Sequence, residues 1–212
     1  MNIVRKSFPV GPLQCNCTVI GDTITGTGYV FDPGGDATRI MTTVEELGLR
    51  IVGIIHTHAH LDHILAAGEI RKQTGAPVWL HRSDKILWDS LEEQCRMWNV
   101  PYSPIGDPDH WIEDEQVLEC GGNCIHTPGH TPGSTSFYFE DSSLLIAGDT
   151  LFMGSVGRTD FPGGDSRQLK KSIQQRLYCL DEAAIVVPGH GPETSIGREM
   201  RTNAFVRANS SA

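Results

Sequence analysis

The sequence predicts a single α+β domain over residues 1–212, in which β-sheets pack on each other and helices cover them. Short apolar runs rich in β-branched residues are typical of strands, and helical stretches lie between them. The chain has 212 residues, of which 39% are hydrophobic, and this is enough to bury one sizeable core. Neither a low-complexity segment nor a linker divides the sequence.

Eight apolar runs predict strands because they are short and bounded by turn residues. They lie at 17–20, 29–31, 51–55, 78–80, 117–118, 135–139, 144–147 and 185–187. Helices are predicted at 37–47, 64–73, 85–98 and 167–178. Early strands with interleaved helices, then further strands and a late helix, favour a sheet-on-sheet core covered by helices.

Charge and hydropathy exclude several classes of function. The 17 Lys and Arg residues are outnumbered by 26 Asp and Glu residues, which gives a formal net charge of −9. This balance provides no long-range attraction to nucleic acid or to an anionic membrane. No apolar run approaches the roughly 18 residues that a spanning helix needs, and the first ten residues do not resemble a signal peptide. We therefore expect a cytoplasmic protein that binds neither nucleic acid nor membrane.

The six cysteines predict reduced core thiols, because they are few for a chain of this length. Two pairs are close in sequence, Cys15 with Cys17 and Cys120 with Cys124. Neither pair has the C-x-x-C spacing of a structural zinc site. We expect no disulfide framework and no thiolate metal site.

A dense group of metal-ligand side chains follows the predicted strand at 51–55. Residues 56–63 read His-Thr-His-Ala-His-Leu-Asp-His, which places four imidazoles and one carboxylate in eight positions. These groups are suitable ligands for zinc, iron or manganese. Residues two apart in an extended segment point the same way, so His58 and His60 can converge on one ion. Asp62 and His63 then turn away from these two histidines and serve a different metal position.

Three further polar residues, His130, Asp149 and His190, also follow apolar runs, and each is preceded by a glycine. Together with the first segment they make seven candidate ligands, a number that suits two ions sharing one carboxylate. Any one of these histidines could be an ordinary core residue. So many ionisable groups at apolar strand ends would nevertheless cost free energy unless they were paired. The remaining histidines are predicted to have structural roles: His56, His81, His110 and His126.

The order and context of these residues resemble the metallo-β-lactamase-fold hydrolase superfamily. The resemblance extends from Asp32-Pro33-Gly34-Gly35, through the histidine segment, to Pro188-Gly189-His190-Gly191. It implies an αββα sandwich, with two mixed β-sheets packed face to face, helices outside and the site at one edge.

The resemblance also implies a role for each ligand. His58, His60 and His130 would hold a first divalent ion, Asp62, His63 and His190 a second, and Asp149 would bridge them. Zinc is the expected metal, with iron or manganese as alternatives. A hydroxide between the two ions would attack the substrate, so no serine or cysteine nucleophile is needed. Asp62 would orient the hydroxide or take up a proton. The residues expected to act in catalysis are His58, His60, Asp62 and Asp149.

The segment from Gly157-Arg158-Thr159-Asp160 to Asp165 is similar to the short bacterial glyoxalase II-like proteins, the hydroxyacylglutathione hydrolases. This branch implies that the substrate is a small glutathione-derived thioester, S-2-hydroxyacylglutathione, with S-lactoylglutathione as the example. Arg158 would contact the carboxylates of the substrate or serve as an internal ion-pair partner. The lysine-containing loop of the longer glyoxalase II enzymes is replaced here by Gly157-Arg158-Thr159-Asp160, which leaves the thiol carrier open.

Two other activities remain open. Persulfide dioxygenases share the Gly-Arg-Thr-Asp stretch and use one iron, whose ligands would correspond to His58, His130 and Asp149. Another metallo-hydrolase, such as a lactonase, is the second alternative. A purely structural metal site is disfavoured, because structural zinc sites are closed and usually rich in thiolates. We expect a monomer or a small homo-oligomer, and a frayed tail at 207–212.

Overall fold

The computed structural model describes residues 2–207. It divides into two compact units, Met1–Ile112 and Glu113–Ala212, and each is described by itself. The single domain over 1–212 stays a prediction. Of the tail at 207–212 that is expected to fray, residues 208–212 lie outside the described residues, as does Met1.

The first unit contains a six-stranded mixed sheet whose strands lie side by side in chain order. The strands are β1 (Ile3–Val10), β2 (Cys15–Asp22), β3 (Thr27–Phe31), β4 (Arg50–Ile55), β5 (Val78–His81) and β6 (His110–Ile112). β1 to β3 pair antiparallel, whereas β3 to β6 run parallel. Because β3, β4 and β5 are parallel neighbours, the residues that follow them leave the sheet at the same edge.

Five helices accompany this sheet: α1 (Ala37–Glu46), α2 (Leu61–Ile64), α3 (Ala67–Thr74), α4 (Lys85–Asp89) and α5 (Leu91–Trp98). A short 3₁₀ turn at Arg82–Asp84 precedes α4. In the core of the unit, Val30, Ile54 and Leu80 from the sheet belong to one buried cluster with Ile40 of α1 and Ile70 of α3. This burial holds the parallel strands and their connecting helices together.

The second unit contains a five-stranded mixed sheet with the strand order β13-β12-β9-β8-β7. Its strands are β7 (Asn123–His126), β8 (Thr135–Phe139), β9 (Leu144–Gly148), β12 (Ile185–Pro188) and β13 (Thr194–Ser195). A small hairpin, β10 (Leu151–Phe152) and β11 (Ser155–Val156), follows β9. The helices are α6 (Ser166–Ser172), which continues as a π-helical segment at Ile173–Leu177, and α7 (Ile196–Thr202). β9 and β12 are parallel neighbours.

The α+β class with mixed sheets is confirmed, and seven of the eight predicted strands are present. The strand predicted at 117–118 is wrong, because Val117 makes only an isolated bridge to Asn123 and is 64% exposed. The helix predicted at 85–98 is two helices that meet at Ser90. The helix predicted at 64–73 begins at Ala67, since the preceding turn forms α2 separately.

All six cysteines are free thiols. Cys15, Cys17, Cys95 and Cys124 are buried, as expected for core thiols, whereas Cys120 is half-buried and Cys179 is exposed. Within residues 2–207, none of the helices has the length and apolar character needed to cross a bilayer.

Candidate metal centre

The histidine segment begins where β4 ends and leads directly into α2. His56, Thr57 and His58 are buried immediately after Ile55, and Asp62 and His63 lie in the first turn of α2. The neighbouring strand β3 ends at Phe31, which pairs with Ile55 in the register of the sheet. Asp32 therefore leaves the sheet beside the histidine segment.

Asp32 is the main hydrogen-bond acceptor for this segment. Its Oδ1 accepts the Thr57 N–H at 2.7 Å, and its Oδ2 accepts the Thr57 hydroxyl at 2.7 Å. Nδ1 of His63 lies 2.9 Å from the same Oδ2. A carboxylate only accepts, so Nδ1 of His63 carries the proton and Nε2 carries the lone pair. Asp32 is 2% exposed and its backbone is left-handed, with φ 50°.

The orientation of His58 is fixed by the same carboxylate through Thr57. Since the Thr57 hydroxyl donates to Asp32, its oxygen accepts from Nδ1 of His58 at 3.0 Å. Nε2 of His58 lies 3.1 Å from Nδ1 of His60. Two ligands about 2.0 Å from a tetrahedral ion would lie roughly 3.3 Å apart. His58 and His60 therefore have the separation of two ligands of one ion, and they present different ring nitrogens.

Asp62 and His63 form a second pair of donors in this unit. Nε2 of His63 lies 3.8 Å from Oδ2 of Asp62, and both residues are buried. The loop after β3 approaches them so closely that a Cβ on Gly34 would lie 1.4 Å from the carbonyl oxygen of Asp62. Only glycine allows this approach, and it keeps Asp32 next to α2.

In the second unit, Asp149 lies between two histidines. Its Oδ2 is 3.5 Å from Nε2 of His130 and 3.8 Å from Nε2 of His190. Asp149 and His190 follow the parallel neighbours β9 and β12, and the Gly189 N–H donates to the Gly148 carbonyl at 2.8 Å. The strand ends thus bring one carboxylate and two imidazoles together within this unit.

The segment after the β10–β11 hairpin positions His130. Nδ1 of His130 lies 2.7 Å from the Arg158 carbonyl oxygen and must donate to it, which leaves the lone pair on Nε2. A Cβ on Gly157 would lie 1.9 Å from the Asp149 carbonyl oxygen, so this backbone passes directly against Asp149.

The Arg158 side chain is engaged by its own neighbours. Its Nε and Nη2 each donate at 2.7 Å to an oxygen of Asp160, and its guanidinium carbon lies 3.9 Å from the centre of the Phe161 ring. The hydrogen bonds from Arg158 lower the pKa of Asp160 to about 2. The internal ion pair, one of the two roles expected for Arg158, is present, and contact with substrate stays a prediction.

The other four histidines have local partners. His56 donates from Nδ1 to the His63 carbonyl at 3.1 Å, and burial lowers its pKa to about 4. His126 lies 2.9 Å from the Pro132 carbonyl oxygen through Nε2, and His81 accepts the Ser83 N–H at 3.3 Å. The His110 ring lies 4.2 Å from the Trp79 ring, centre to centre. These contacts agree with structural roles.

Sequence reasoning missed the roles of Asp32 and Thr57. Asp32 follows an apolar run in the same way as Asp149, so the strand-end pattern could have identified it. Thr57 gives no such signal, because its role depends on which atoms its hydroxyl reaches.

The donor set fits divalent metal ions. Nδ1 is hydrogen-bonded to a hydroxyl in His58, to a carboxylate in His63 and to a carbonyl in His130. Metal-ligating histidines almost always bond their second ring nitrogen in this way. The fold and these anchored imidazoles define a metal-binding α+β protein. Residues 10–190 match the metallo-beta-lactamase superfamily, and the chain belongs to that superfamily. Its members are hydrolases that bind divalent metals.

Similar proteins agree with this assignment. The chain is 38% identical to the hydroxyacylglutathione hydrolase GloC of Haemophilus influenzae, over 99% of this chain and 100% of the relative. Its structure is similar to that of BLEG-1 B3 metallo-beta-lactamase, with a TM-score of 0.89 and 38% identity over 96% of this chain and 99% of the other. TTHA1623, in a di-iron-bound form, also gives a TM-score of 0.89, with 34% identity over 95% and 100% of the two chains. The resemblance to the superfamily and to its hydroxyacylglutathione hydrolase branch is confirmed.

Proposed function

We propose that this protein is a metal-dependent thioester hydrolase that cleaves S-2-hydroxyacylglutathione, such as S-lactoylglutathione, to a 2-hydroxy acid and glutathione. The main support is the anchoring of Nδ1 in His58, His63 and His130, because it presents Nε2 of each ring as a metal ligand. The H. influenzae relative, which matches nearly the whole chain, carries the name of this activity.

We propose seven ligands for two divalent ions, with zinc as the first choice and iron or manganese as alternatives. The first ion is assigned to His58, His60 and His130, the second to Asp62, His63 and His190, with Asp149 shared. All seven fall within the part of the chain that matches the superfamily. The separations of 3.1 to 3.8 Å between donors within each unit support the grouping.

The chain's own residues bind, orient and accept protons in this scheme. When bound, the ions supply an activated water near neutral pH and polarise the substrate carbonyl. Asp62 would orient this water and take up its proton on the carboxylate oxygen that does not hold the ion. Burial raises the pKa of the Cys15 thiol, which lies 3.4 Å from Nδ1 of His63, to about 12, and this favours the protonated thiol.

The test is hydrolysis of S-lactoylglutathione in the absence of oxygen. The reaction is monitored through the loss of the thioester absorbance. Turnover should cease on chelation and return when the metal-free protein is reloaded with zinc, iron or manganese in turn. His58→Ala and Asp149→Ala should abolish turnover while the protein stays folded. His126→Ala, a control at a histidine bonded to Pro132, should keep it. Full activity of a chelated, metal-free sample would refute the mechanism.

Iron-dependent dioxygenation of glutathione persulfide is the second candidate, and the similar structure of ETHE1 from Myxococcus xanthus, with a TM-score of 0.79 and 26% identity, fits it. Oxygen uptake with glutathione persulfide, without thioesterase activity, would support it over hydrolysis. A lactone and a β-lactam belong in the same assay series, the latter because one similar structure is described as a B3 metallo-beta-lactamase. The cytoplasmic location, the lack of nucleic-acid or membrane partners, and the monomeric or small homo-oligomeric state stay predictions.

A further inference from the structure

The side chain of Gln94, in α5, hydrogen-bonds to both residues that flank His60. Its Oε1 accepts the Leu61 N–H at 2.9 Å, and its Nε2 donates to the Ala59 carbonyl at 3.1 Å. One carboxamide therefore holds the backbone on both sides of a single candidate ligand. Both contacts link residues more than thirty positions apart in the chain.

The Gln94 carboxamide is itself held in one orientation. Nε2 also lies 2.8 Å from the Leu87 carbonyl oxygen and 3.3 Å from the Ser90 hydroxyl, at the break between α4 and α5. A flipped amide would direct its NH₂ group at the Leu61 N–H and its oxygen at two carbonyls, which is repulsive at each point. The observed orientation is thus fixed by its partners.

A second contact reinforces the same peptide. Oδ2 of Asp84, a fully buried carboxylate, accepts the Ala59 N–H at 3.0 Å. Gln94 and Asp84 together hold Ala59 through its carbonyl and its N–H.

His60 is the ligand whose position depends most directly on this backbone. Its Nδ1 lies 3.1 Å from Nε2 of His58. His60 thus presents the ring nitrogen nearer to its own backbone, whereas His58 presents the one farther from its backbone. Because Nδ1 is only three covalent bonds from Cα, a shift of the peptide at residue 60 moves this ligand atom by nearly the same distance. His60 is also the extended residue that immediately precedes α2, with φ −74° and ψ 149°.

We propose, on the basis of the metal centre proposed above, that Gln94 is a positioning residue that holds Nδ1 of His60 in place for the first metal ion. It does not touch the ion or the substrate. Loss of a partner that orients a ligand lowers metal affinity by about 10- to 100-fold. Gln94 should therefore control the affinity of the first ion and leave that of the second unchanged.

The test compares Gln94→Leu, which removes all four side-chain hydrogen bonds of Gln94, with Gln94→Glu, which keeps an acceptor for the Leu61 N–H and loses the NH₂ group that faces Ala59, Leu87 and Ser90. Gln73→Leu is the matched control, since Gln73 is exposed on α3 and bonds only weakly to Glu69, at 3.3 Å. Zinc dissociation constants are measured by chelator competition on the full chain, and Tm is measured on the metal-free protein. We expect one of the two zinc-binding steps to weaken by about 10- to 100-fold in Gln94→Leu and in Gln94→Glu.

A double-mutant cycle with His60→Ala separates positioning from general stability. If Gln94 acts through His60, Gln94→Leu weakens zinc binding in the wild-type background and has no further effect in His60→Ala. An equal loss in both backgrounds, or a lowered Tm with unchanged zinc affinity, would overturn the positioning role. Wild-type protein that binds no zinc, or only one zinc ion, would instead overturn the proposed metal centre, so the two failures are distinct. Gln94→Glu, measured in the same cycle, decides the matter if Gln94→Leu does not fold.

Discussion

Replacing Asp32 by asparagine should reverse the ring tautomers of two histidines at once. In Asp32→Asn the amide oxygen can keep the bond from the Thr57 N–H, so the amide nitrogen faces the Thr57 hydroxyl and Nδ1 of His63. An NH₂ group donates, so Nδ1 of His63 must accept and its proton moves to Nε2. The Thr57 hydroxyl no longer donates to Asp32 and donates to Nδ1 of His58 instead, which reverses that ring as well.

The consequence for metal binding is larger than the consequence for stability. A ring protonated on Nε2 has no lone pair there for a metal, and losing the orienting partner costs about 10- to 100-fold in affinity for each ring. Neutral hydrogen bonds replace charge-assisted ones, but a buried charge is also removed. We therefore expect the free energy of unfolding to fall by only about 1–3 kcal/mol.

Nitrogen NMR of the histidine rings in the metal-free protein reads the tautomers directly, and chelator competition gives the metal affinity. Asp36→Asn is the matched control, because Asp36 lies in the same loop, also has a positive φ, and accepts the Gly11 N–H from an exposed position. This control should leave both rings and both metal-binding steps unchanged. Rings of His58 and His63 that keep their protons on Nδ1 in Asp32→Asn would refute the reasoning.

Two further substitutions test the second unit. Arg158→Ala should raise KM by about 10- to 100-fold and lower kcat less, if the guanidinium binds a remote carboxylate through charge-assisted hydrogen bonds. Asp160→Asn removes the negative charge that pairs with Arg158 and should not raise KM; equal falls of kcat and kcat/KM in Arg158→Ala would count against substrate contact. The pair itself persists at neutral pH, because the lowered pKa of Asp160 means that its carboxylate is lost only as pH falls through about 2. Gly157→Ala places a Cβ 1.9 Å from the Asp149 carbonyl oxygen and should cost about 1–3 kcal/mol of stability together with metal affinity. Gly154→Ala, at φ 72° with no atom within 4 Å of the added Cβ, measures backbone strain alone, and an equal effect on metal affinity would contradict the clash.

The candidate ligands could be found from sequence because parallel neighbouring strands deliver the residues after their ends to one edge of a sheet. Asp149 and His190 come after β9 and β12 in this way, and the histidine segment comes after β4. The same rule applies to Asp32 after β3, but the turn residues Pro33 and Gly34 beside it are equally typical of an ordinary loop. The strand-end pattern is therefore informative about orienting residues as well as about ligands.

Other features depend on contacts that no local pattern encodes. β1 was not predicted, and it contains Lys6 and Pro9, which weaken the apolar signal but are tolerated in a strand at the edge of the sheet. The helix break at Ser90 coincides with the hydrogen bonds of Gln94 to Leu87 and Ser90. Which ring nitrogen each histidine presents depends on hydrogen bonds between distant residues, so composition and periodicity cannot indicate it.

Asp32 and Gln94 together distinguish two ions from one. Asp32 orients His63 directly and His58 through Thr57, and these histidines are assigned to different ions. Asp32→Asn should therefore weaken both metal-binding steps, whereas the Gln94 variants should weaken one. In a single-iron site, held by His58, His130 and Asp149, Asp32 would act only through His58, and His60 would not be a ligand. Asp32→Asn would then weaken a single step, and Gln94→Leu would leave metal affinity unchanged, so the pair of variants reports the number of ions independently of any substrate.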